Sequence, residues 1–213
     1  MEEGLRERKK RETKQRIADM AMGLFMTHGF EKVTVAEVAR VADVSVNTVF
    51  NYFGTKEDLF YDRADEAEDL PSRVVRERRP GESVLEAFHR DYLESMEARD
   101  WRYGLNEGSD VFGRMVGESP TLTARMRELE VARMNTLAAT LAEEFDADPD
   151  DMTPTVVAMQ VLTTLTVLSR RSVRRLMAGE SWAEILPWLR EQAEAAFALL
   201  EKGIGSYGAT TST

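Results

Sequence analysis

Residues 34–59 read TVAEVARVADVSVNTVFNYFGTKEDL, and this stretch decides the fold. Thr34 followed by Glu37 is a capping-box pattern, in which a hydroxyl and a carboxylate pair with the free N–H groups of a helix start. Ser45 is a favourable N-cap for a second helix eleven residues later. The pattern predicts two short helices, at about 35–41 and 46–51, separated by a tight turn.

The segments on either side extend this arrangement. Apolar residues at helical spacing predict a preceding helix from Ile17, which Gly29 ends. Within the turn, Asp43 is expected to adopt a left-handed backbone conformation, which Asp tolerates better than most residues. Thr55 with Asp58 repeats the capping pattern and predicts a fourth helix that continues to residue 70, before a proline.

The remainder of the chain also has helical periodicity, and no segment alternates as a half-buried strand does. Helices are predicted at about 82–98, 120–145, 153–178 and 182–202, and the glycine-interrupted segment 101–116 is ambiguous. The fold class is therefore all-α, with about nine helices.

Composition excludes several functional classes. The chain of 213 residues has no cysteine and only two histidines, so disulfides, thiol nucleophiles and cysteine-based metal sites are excluded. We expect no metal, no cofactor and no enzymatic activity. The charged N-terminus and the absence of a long apolar run predict a cytoplasmic protein without a membrane segment.

Charge divides the chain unevenly. The net charge is −10, but residues 1–56 carry ten bases and eight acids, a balance of +2, which leaves −12 for the rest. We therefore expect an anion to bind the first segment, at 1–56, which begins with a basic arm, and we predict a larger helical domain at 57–202 and a disordered tail at 203–213.

A helix, a tight turn and a second short helix form the outline of a helix-turn-helix, whose second helix enters the DNA major groove. Short helices joined by a turn also occur in many protein cores, so the outline alone leaves both interpretations open. The polar surface of the second helix and the bases upstream favour DNA binding.

Residues 13–60 resemble the TetR-family DNA-binding signature, with two departures. Asp43 stands where the pattern prefers glycine, and Phe50 stands where it usually has tyrosine. Because phenylalanine cannot donate a hydrogen bond to phosphate, that contact is expected to pass to Tyr52.

The resemblance implies a function for individual positions. Thr34, Tyr52 and Lys56 are expected to hold phosphates. The residues expected to face bases are Val46, Asn47, Thr48 and Asn51. The other predicted DNA-binding residues of this part are Ser45, which caps the helix, and Phe50. The basic side chains expected to follow the DNA backbone or enter the minor groove are Lys9, Lys10 and Arg11.

The resemblance also implies a two-fold dimer formed by the last two helices, which binds a palindromic double-stranded DNA operator. The predicted interface residues are Val157, Val161, Leu165, Leu168, Trp182, Leu186, Leu189 and Phe197. A small, largely apolar effector is expected to release this repressor from DNA. The candidate effector-binding residues are Trp101, Tyr103, Phe112, Met115, Met126, Met134, Gln160, Thr163 and Thr164.

Two alternatives remain open from the sequence. One is a helix-turn-helix regulator that a protein partner controls without a small-molecule ligand. The other is a helical enzyme, although the sequence offers no catalytic constellation for it.

Overall fold

The computed structural model describes residues 4–62, 64–204 and 207, with the side chains of residues 5, 64 and 65 left aside. This part of the chain forms ten α-helices and one 3-10 helix, and it contains no strand, so the all-α prediction is confirmed. The elements are α1 (Leu5–His28), α2 (Val35–Val41), α3 (Val46–Tyr52), α4 (Lys56–Phe60), α5 (Ala64–Arg76), α6 (Val84–Ala98), a 3-10 helix (Trp101–Tyr103), α7 (Ser109–Glu118), α8 (Pro120–Glu144), α9 (Thr153–Met177) and α10 (Trp182–Ile204).

Two compact units divide the chain. Unit 1 comprises Met1–Asp65 and Met115–Met126, and unit 2 comprises Glu66–Arg114 and Arg127–Thr213. The sequence-based division at residue 56 differs, because α4 packs against α1 and therefore belongs to unit 1. The segment 115–126 also belongs to unit 1 by its contacts, which a division by chain position does not detect.

The core of unit 1 is an aromatic cluster. The Phe25 ring lies 5.0 Å from Phe30 and 6.1 Å from Phe60, measured between centroids, and all three side chains are buried. Three polar contacts hold the segment 115–126 to this unit: Ser119 to Glu31 at 2.5 Å, Tyr61 to the Leu122 carbonyl at 3.0 Å, and Arg125 to Asp58 at 2.8 Å.

The core of unit 2 is a helical layer in which α10 packs against both α9 and α6. Its largest buried side chains include Phe88, Tyr92, Leu137, Leu141 and Ile185. The apolar residues at i, i+3 and i+4 on each of these helices face inward, as an amphipathic helix requires.

Two predictions about the first helices need correction. α1 begins at Leu5, twelve residues before the predicted start, because residues 5–16 are mostly good helix formers and Arg8 pairs with Glu12 one turn later. The predicted helix 56–70 is two helices, which break after Phe60 where the Tyr61 hydroxyl donates to a distant carbonyl. Pro71 lies inside α5 rather than after it.

The predicted disordered tail 203–213 is only partly within the described residues. Gly203 and Ile204 belong to α10, and the Tyr207 carbonyl accepts a hydrogen bond from the Val84 N–H at 3.3 Å. Residues 205, 206 and 208–213 lie outside the described part of the chain.

Candidate nucleic-acid interface

Helix α3 is fixed at its N-terminus by the turn and the cap that the sequence predicts. Asp43 has φ 52°, so the expected left-handed turn is present. The Ser45 hydroxyl accepts a hydrogen bond from the Thr48 N–H at 3.0 Å, which satisfies one free donor of the first turn. Val49 and Phe53 are buried and hold the opposite side of the helix to unit 1.

One face of α3 is exposed and mixed in character. Val46, Asn47, Phe50 and Asn51 are exposed, at positions i, i+1, i+4 and i+5 of the helix. Phe50 is 48% exposed and Val46 is 38% exposed, so this face offers apolar groups to a partner beside the two amides. We call these four residues the reading face.

The other predicted residues of α3 lie outside this face. Thr48 is half-buried, and its hydroxyl lies 2.7 Å from that of Ser45. Tyr52 is also half-buried and points away from the reading face by its position in the helix. The structure therefore brings together three of the four residues predicted to face bases, Val46, Asn47 and Asn51, and adds Phe50 to them. The fourth, Thr48, lies outside the reading face, as does Tyr52.

Lys56 has a fixed position at the start of α4. Its ammonium nitrogen lies 3.5 Å from the Glu31 carbonyl oxygen and is only half-buried. The Thr55 hydroxyl caps the same helix by accepting from the Asp58 N–H at 3.1 Å. A cation beside a helix start is well placed for a phosphate, because both favour negative charge.

Thr34 already uses its hydroxyl within the unbound protein. The hydroxyl accepts from the Glu37 N–H at 3.2 Å and donates to the Glu37 carboxylate at 2.9 Å, which confirms the predicted capping box. Hydrogen bonds from the Thr34 backbone and hydroxyl hold the pKa of Glu37 below its ordinary value. To donate to a phosphate, the Thr34 hydroxyl must therefore first break its hydrogen bond to the Glu37 carboxylate.

The basic N-terminal residues lie on a helix. Lys9, Lys10 and Arg11 are exposed on α1 rather than on an extended arm. Further along α1, the Lys14 ammonium lies 5.7 Å from the Phe53 ring, which follows α3. The bases of α1 thus project from a helix of unit 1, and their contact with DNA stays a prediction.

The candidate effector-binding residues are distributed over both units. Met115 and Met126 belong to unit 1, and the other seven belong to unit 2. Trp101, Tyr103, Phe112, Met134 and Thr164 are half-buried in unit 2, and Tyr103 and Met134 pack against its core. By contrast, Gln160 and Thr163 are exposed on α9, so within one chain they line no interior space.

The residues predicted for the dimer interface face the interior of the protomer instead. Seven of the eight are buried in unit 2, and Leu186 is half-buried. The prediction therefore selected the core-facing positions of α9 and α10, because the core of one chain and an interface have the same apolar periodicity. The exposed large apolar residues of α9 are Val156, Met159, Val167 and Met177, and Met152 at its N-cap is exposed as well.

A polar cluster in unit 2 was not predicted. The carboxylate of Asp91 pairs with the Arg102 guanidinium and accepts from the Tyr103 hydroxyl at 2.6 Å. Asp100 accepts from Arg102 at 2.7 Å and from Ser95 at 2.6 Å. The sequence does carry one signal for it, since Asp91 interrupts the apolar stripe of α6.

Within the described ranges, no His, Cys, Asp or Glu side chains group in threes as a metal ion would need. In the same ranges, none of the helices has the length and apolar character that crossing a bilayer requires.

Comparison with known proteins identifies the N-terminal region that contains the helix-turn-helix. Residues 17–62 match the family model of bacterial regulatory proteins of the TetR family. The chain is 28% identical to the transcriptional regulator TcmR of Streptomyces glaucescens over 70% of this chain and 67% of that protein. It is 33% identical to the transcriptional repressor AcnR of Corynebacterium glutamicum over 42% of this chain and 45% of that protein.

Among solved structures, the fold is similar to that of SmeT in its complex with triclosan. The TM-score is 0.56 and the identity is 14%, with 94% of this chain and 98% of that chain covered. The family model includes both helices of the helix-turn-helix, and the similarity in fold extends over nearly the whole chain. Residues 17–62 therefore match the TetR family of bacterial regulatory proteins, and the fold of the chain is similar to that of SmeT.

Proposed function

We propose that this protein is a transcriptional repressor that binds a palindromic DNA operator as a homodimer and dissociates from it when a small, largely apolar effector binds. The observation that carries the proposal is the exposed reading face of α3, held by a capped helix start and a left-handed turn. A helix presented in this way is the element that a helix-turn-helix inserts into the major groove.

The chemistry of the reading face suits base edges. The amides of Asn47 and Asn51 can each donate to and accept from adenine in the major groove. Val46 and Phe50 can contact the methyl group of thymine, for which apolar side chains are suited. We therefore expect an operator whose half-sites contain A·T pairs under α3.

Charge supports a single orientation on DNA. The balance of +2 in residues 1–56 contrasts with −12 in the remainder. By the units of the structure, unit 1 carries 12 bases against 13 acids and unit 2 carries 16 against 25, so the positive excess is confined to the first residues. Phosphates attract these bases and are repelled by unit 2, so only the N-terminal end is expected to approach the duplex. The same repulsion reduces the affinity of unit 2 for unrelated DNA.

The exposed face of α9 supports a dimer. Val156, Met159 and Val167 lie on one side of the helix, with Gln160 and Thr163 among them. An apolar stripe on an otherwise charged surface is favourable when a second copy covers it, and two-fold symmetry brings the same stripe from each chain together. Two recognition helices about 34–36 Å apart would then match a palindromic operator.

Two relatives support effector control of a repressor. AcnR is named as a repressor, and SmeT is solved with the small apolar compound triclosan. In this chain, half-buried aromatic and methionine side chains of unit 2 offer surface of the same character. The effector must bind the non-operator conformation more tightly than the operator-bound one, because equal affinity would shift nothing.

Genome-wide recovery of bound DNA, followed by gel-shift measurement on the recovered site, tests the proposal. The expected result is a palindrome with half-sites about one helical turn apart, bound by a dimer. Recovery of DNA without a shared sequence, or an unchanged affinity of the double variant Asn47→Ala with Asn51→Ala, would contradict it.

A further inference from the structure

The first turn of α4 is held by a residue from a distant part of the chain. Arg125 lies on α8, 67 residues after Asp58, within the segment 115–126 that belongs to unit 1. Its Nε and Nη2 atoms lie 3.0 and 2.8 Å from Oδ1 of Asp58. The two side chains are only 34% and 23% exposed, so solvent weakens this ion pair less than it weakens a fully exposed one.

The other carboxylate oxygen of Asp58 completes the capping box of α4. Oδ2 accepts from the Thr55 N–H at 2.9 Å, and the Asp58 N–H donates to the Thr55 hydroxyl at 3.1 Å. One oxygen therefore has its partner in the cap and the other has its partner on α8. Because the two oxygens are rigidly joined, the pairing of Oδ1 with Arg125 also fixes the direction in which Oδ2 faces the cap.

The cap decides where α4 begins, because the helix is very short. α4 contains five residues, and isolated helices of this length do not form in water. Its position depends on the cap at Thr55 and on the buried side chains of Leu59 and Phe60. Lys56 is its first residue, so the backbone that carries this lysine is fixed by the same cap.

The segment 115–126 also holds the residue beside the Lys56 side chain. The Lys56 ammonium lies 3.5 Å from the Glu31 carbonyl oxygen, and the Glu31 carboxylate accepts from the Ser119 hydroxyl at 2.5 Å. Ser119 itself is buried. Two residues of the segment therefore act on Lys56 from different sides, Arg125 through the cap of its helix and Ser119 through the residue that its ammonium contacts.

We propose that Arg125 is a positioning residue for DNA binding, which acts through Asp58 on the phosphate contact of Lys56. This inference rests on the proposed function, in which the N-terminal unit binds DNA. Arg125 itself touches no phosphate in this arrangement. When it is lost, Lys56 keeps its charge but has to be ordered as DNA binds, and that ordering lowers the affinity.

Asp58→Asn tests the inference sharply, because charge and positioning predict opposite signs. The asparagine can still accept from the Thr55 N–H, but it cannot form an ion pair with Arg125. If Asp58 acted only by its charge, the loss of a carboxylate from unit 1 would strengthen DNA binding. We expect binding to operator and to unrelated DNA to weaken about fivefold instead. Glu57→Gln removes the neighbouring carboxylate of the same turn and should leave the affinity unchanged or increase it.

A double-mutant cycle shows whether Arg125 acts through Lys56. Arg125→Gln should weaken binding about fivefold in the wild-type background and less than about twofold in the presence of Lys56→Gln. A direct contact of Arg125 with phosphate predicts instead that the two effects multiply and that the salt slope falls by a further ~0.9. Arg127→Gln removes the same charge from an exposed position of α8 and should not change the affinity.

Gel-shift titrations of the full-length variants at several salt concentrations provide these affinities. Each affinity is referred to the folded fraction measured by circular dichroism, so a loss of stability alone does not change it. If Arg125→Gln fails to fold, Asp58→Asn takes its place in the cycle with Lys56→Gln. The inference is wrong if Asp58→Asn binds as tightly as the wild type or more tightly, if the effects in the cycle multiply, or if Arg127→Gln weakens binding equally.

The wild type and Lys56→Gln separate this inference from the proposed function. If Lys56→Gln weakens binding and Arg125→Gln does not, only the positioning role is wrong. If Lys56→Gln binds like the wild type, no phosphate contact exists for Arg125 to position, and the inference fails while the repressor proposal stands. If the wild type binds no DNA, the proposed function fails and the inference fails with it.

Discussion

The ammonium nitrogen of Lys56 lies 4.2 Å from the centroid of the Phe30 ring. This cation–π contact and the nearby Glu31 carbonyl hold the charge in place at the start of α4 before any DNA is bound. A fixed cation loses less side-chain entropy on binding a phosphate than a mobile lysine does.

Lys56→Gln is therefore expected to weaken binding to all DNA sequences by a similar factor. The slope of log affinity against log salt should become shallower by about 0.9, the value for one phosphate contact. Gel-shift titrations at several salt concentrations measure both effects. Lys202→Gln, which removes an exposed lysine of α10, is the control and should change neither. An effect confined to one base position would contradict a phosphate contact.

Asn47→Ala is expected to act differently, because it removes an amide from the reading face. Affinity for the operator should fall by about 1–3 kcal/mol, and affinity for unrelated DNA should stay the same. Substituted operators should show relaxed preference at one base pair per half-site. The matched control is Asn135→Ala, which alters an exposed asparagine of α8. An equal loss on unrelated DNA would mean that Asn47 contacts the DNA backbone.

Substitution of Asp43 tests the left-handed turn. A β-branched residue at φ 52° is strained, whereas glycine is not. Asp43→Val should lower the free energy of unfolding by about 1–2 kcal/mol relative to Asp43→Gly, with Asp43→Asn between them. Urea denaturation measures these differences. Equal stability of the valine and glycine variants would show that the turn relaxes without cost.

Asp100 predicts a dependence of stability on pH. Burial raises the pKa of Asp100, but hydrogen bonds from Arg102 and Ser95 outweigh it and hold the pKa below its ordinary value of 3.8. A lowered folded-state pKa means that the stabilisation is complete above the unfolded pKa and is lost as the pH falls through the folded one.

Asp100→Asn should therefore lower the free energy of unfolding by about 2 kcal/mol at neutral pH, and the difference from the wild type should shrink as the pH falls below 4. Urea denaturation across this range provides the measurement. Asp110→Asn, at a partly exposed pair with Arg114, is the control and should have a smaller effect. A difference that persists unchanged at low pH would contradict the ionic role.

Val167→Glu tests the proposed dimer face of α9. Val167 is 54% exposed, and a carboxylate there would be buried and repelled by its symmetry mate in a dimer. Analytical ultracentrifugation should show a shift to monomer together with loss of operator binding. Val131→Glu on α8 starts from an equal exposure of 53% and should remain dimeric. If neither variant dissociates into monomers, the dimer interface does not include Val167.

The local features of the helix-turn-helix were predictable from sequence because they depend on residues three or four positions apart. The caps at Thr34, Ser45 and Thr55 are all present, and so is the left-handed Asp43. Each requires only a side chain and a backbone group within one turn of helix. The identity of the reading face follows from them by helical geometry.

Features that depend on distant residues were not predictable in the same way. The break after Phe60 involves a hydrogen bond from Tyr61 to Leu122, sixty-one residues away. The periodicity of α9 shows which residues are apolar, but it cannot show which of them face the interior of the same chain.

Unit 1 is discontinuous in sequence, and this has a consequence for protein synthesis and for protein engineering. Residues 4–62 leave the ribosome well before residues 115–126. The contacts of Glu31, Asp58 and Tyr61 with that segment can therefore form only later in synthesis. A chimera that joins the first 65 residues to a foreign sensor domain would lose these three contacts with the segment 115–126. A chimera that also includes the segment 115–126 would retain all of unit 1.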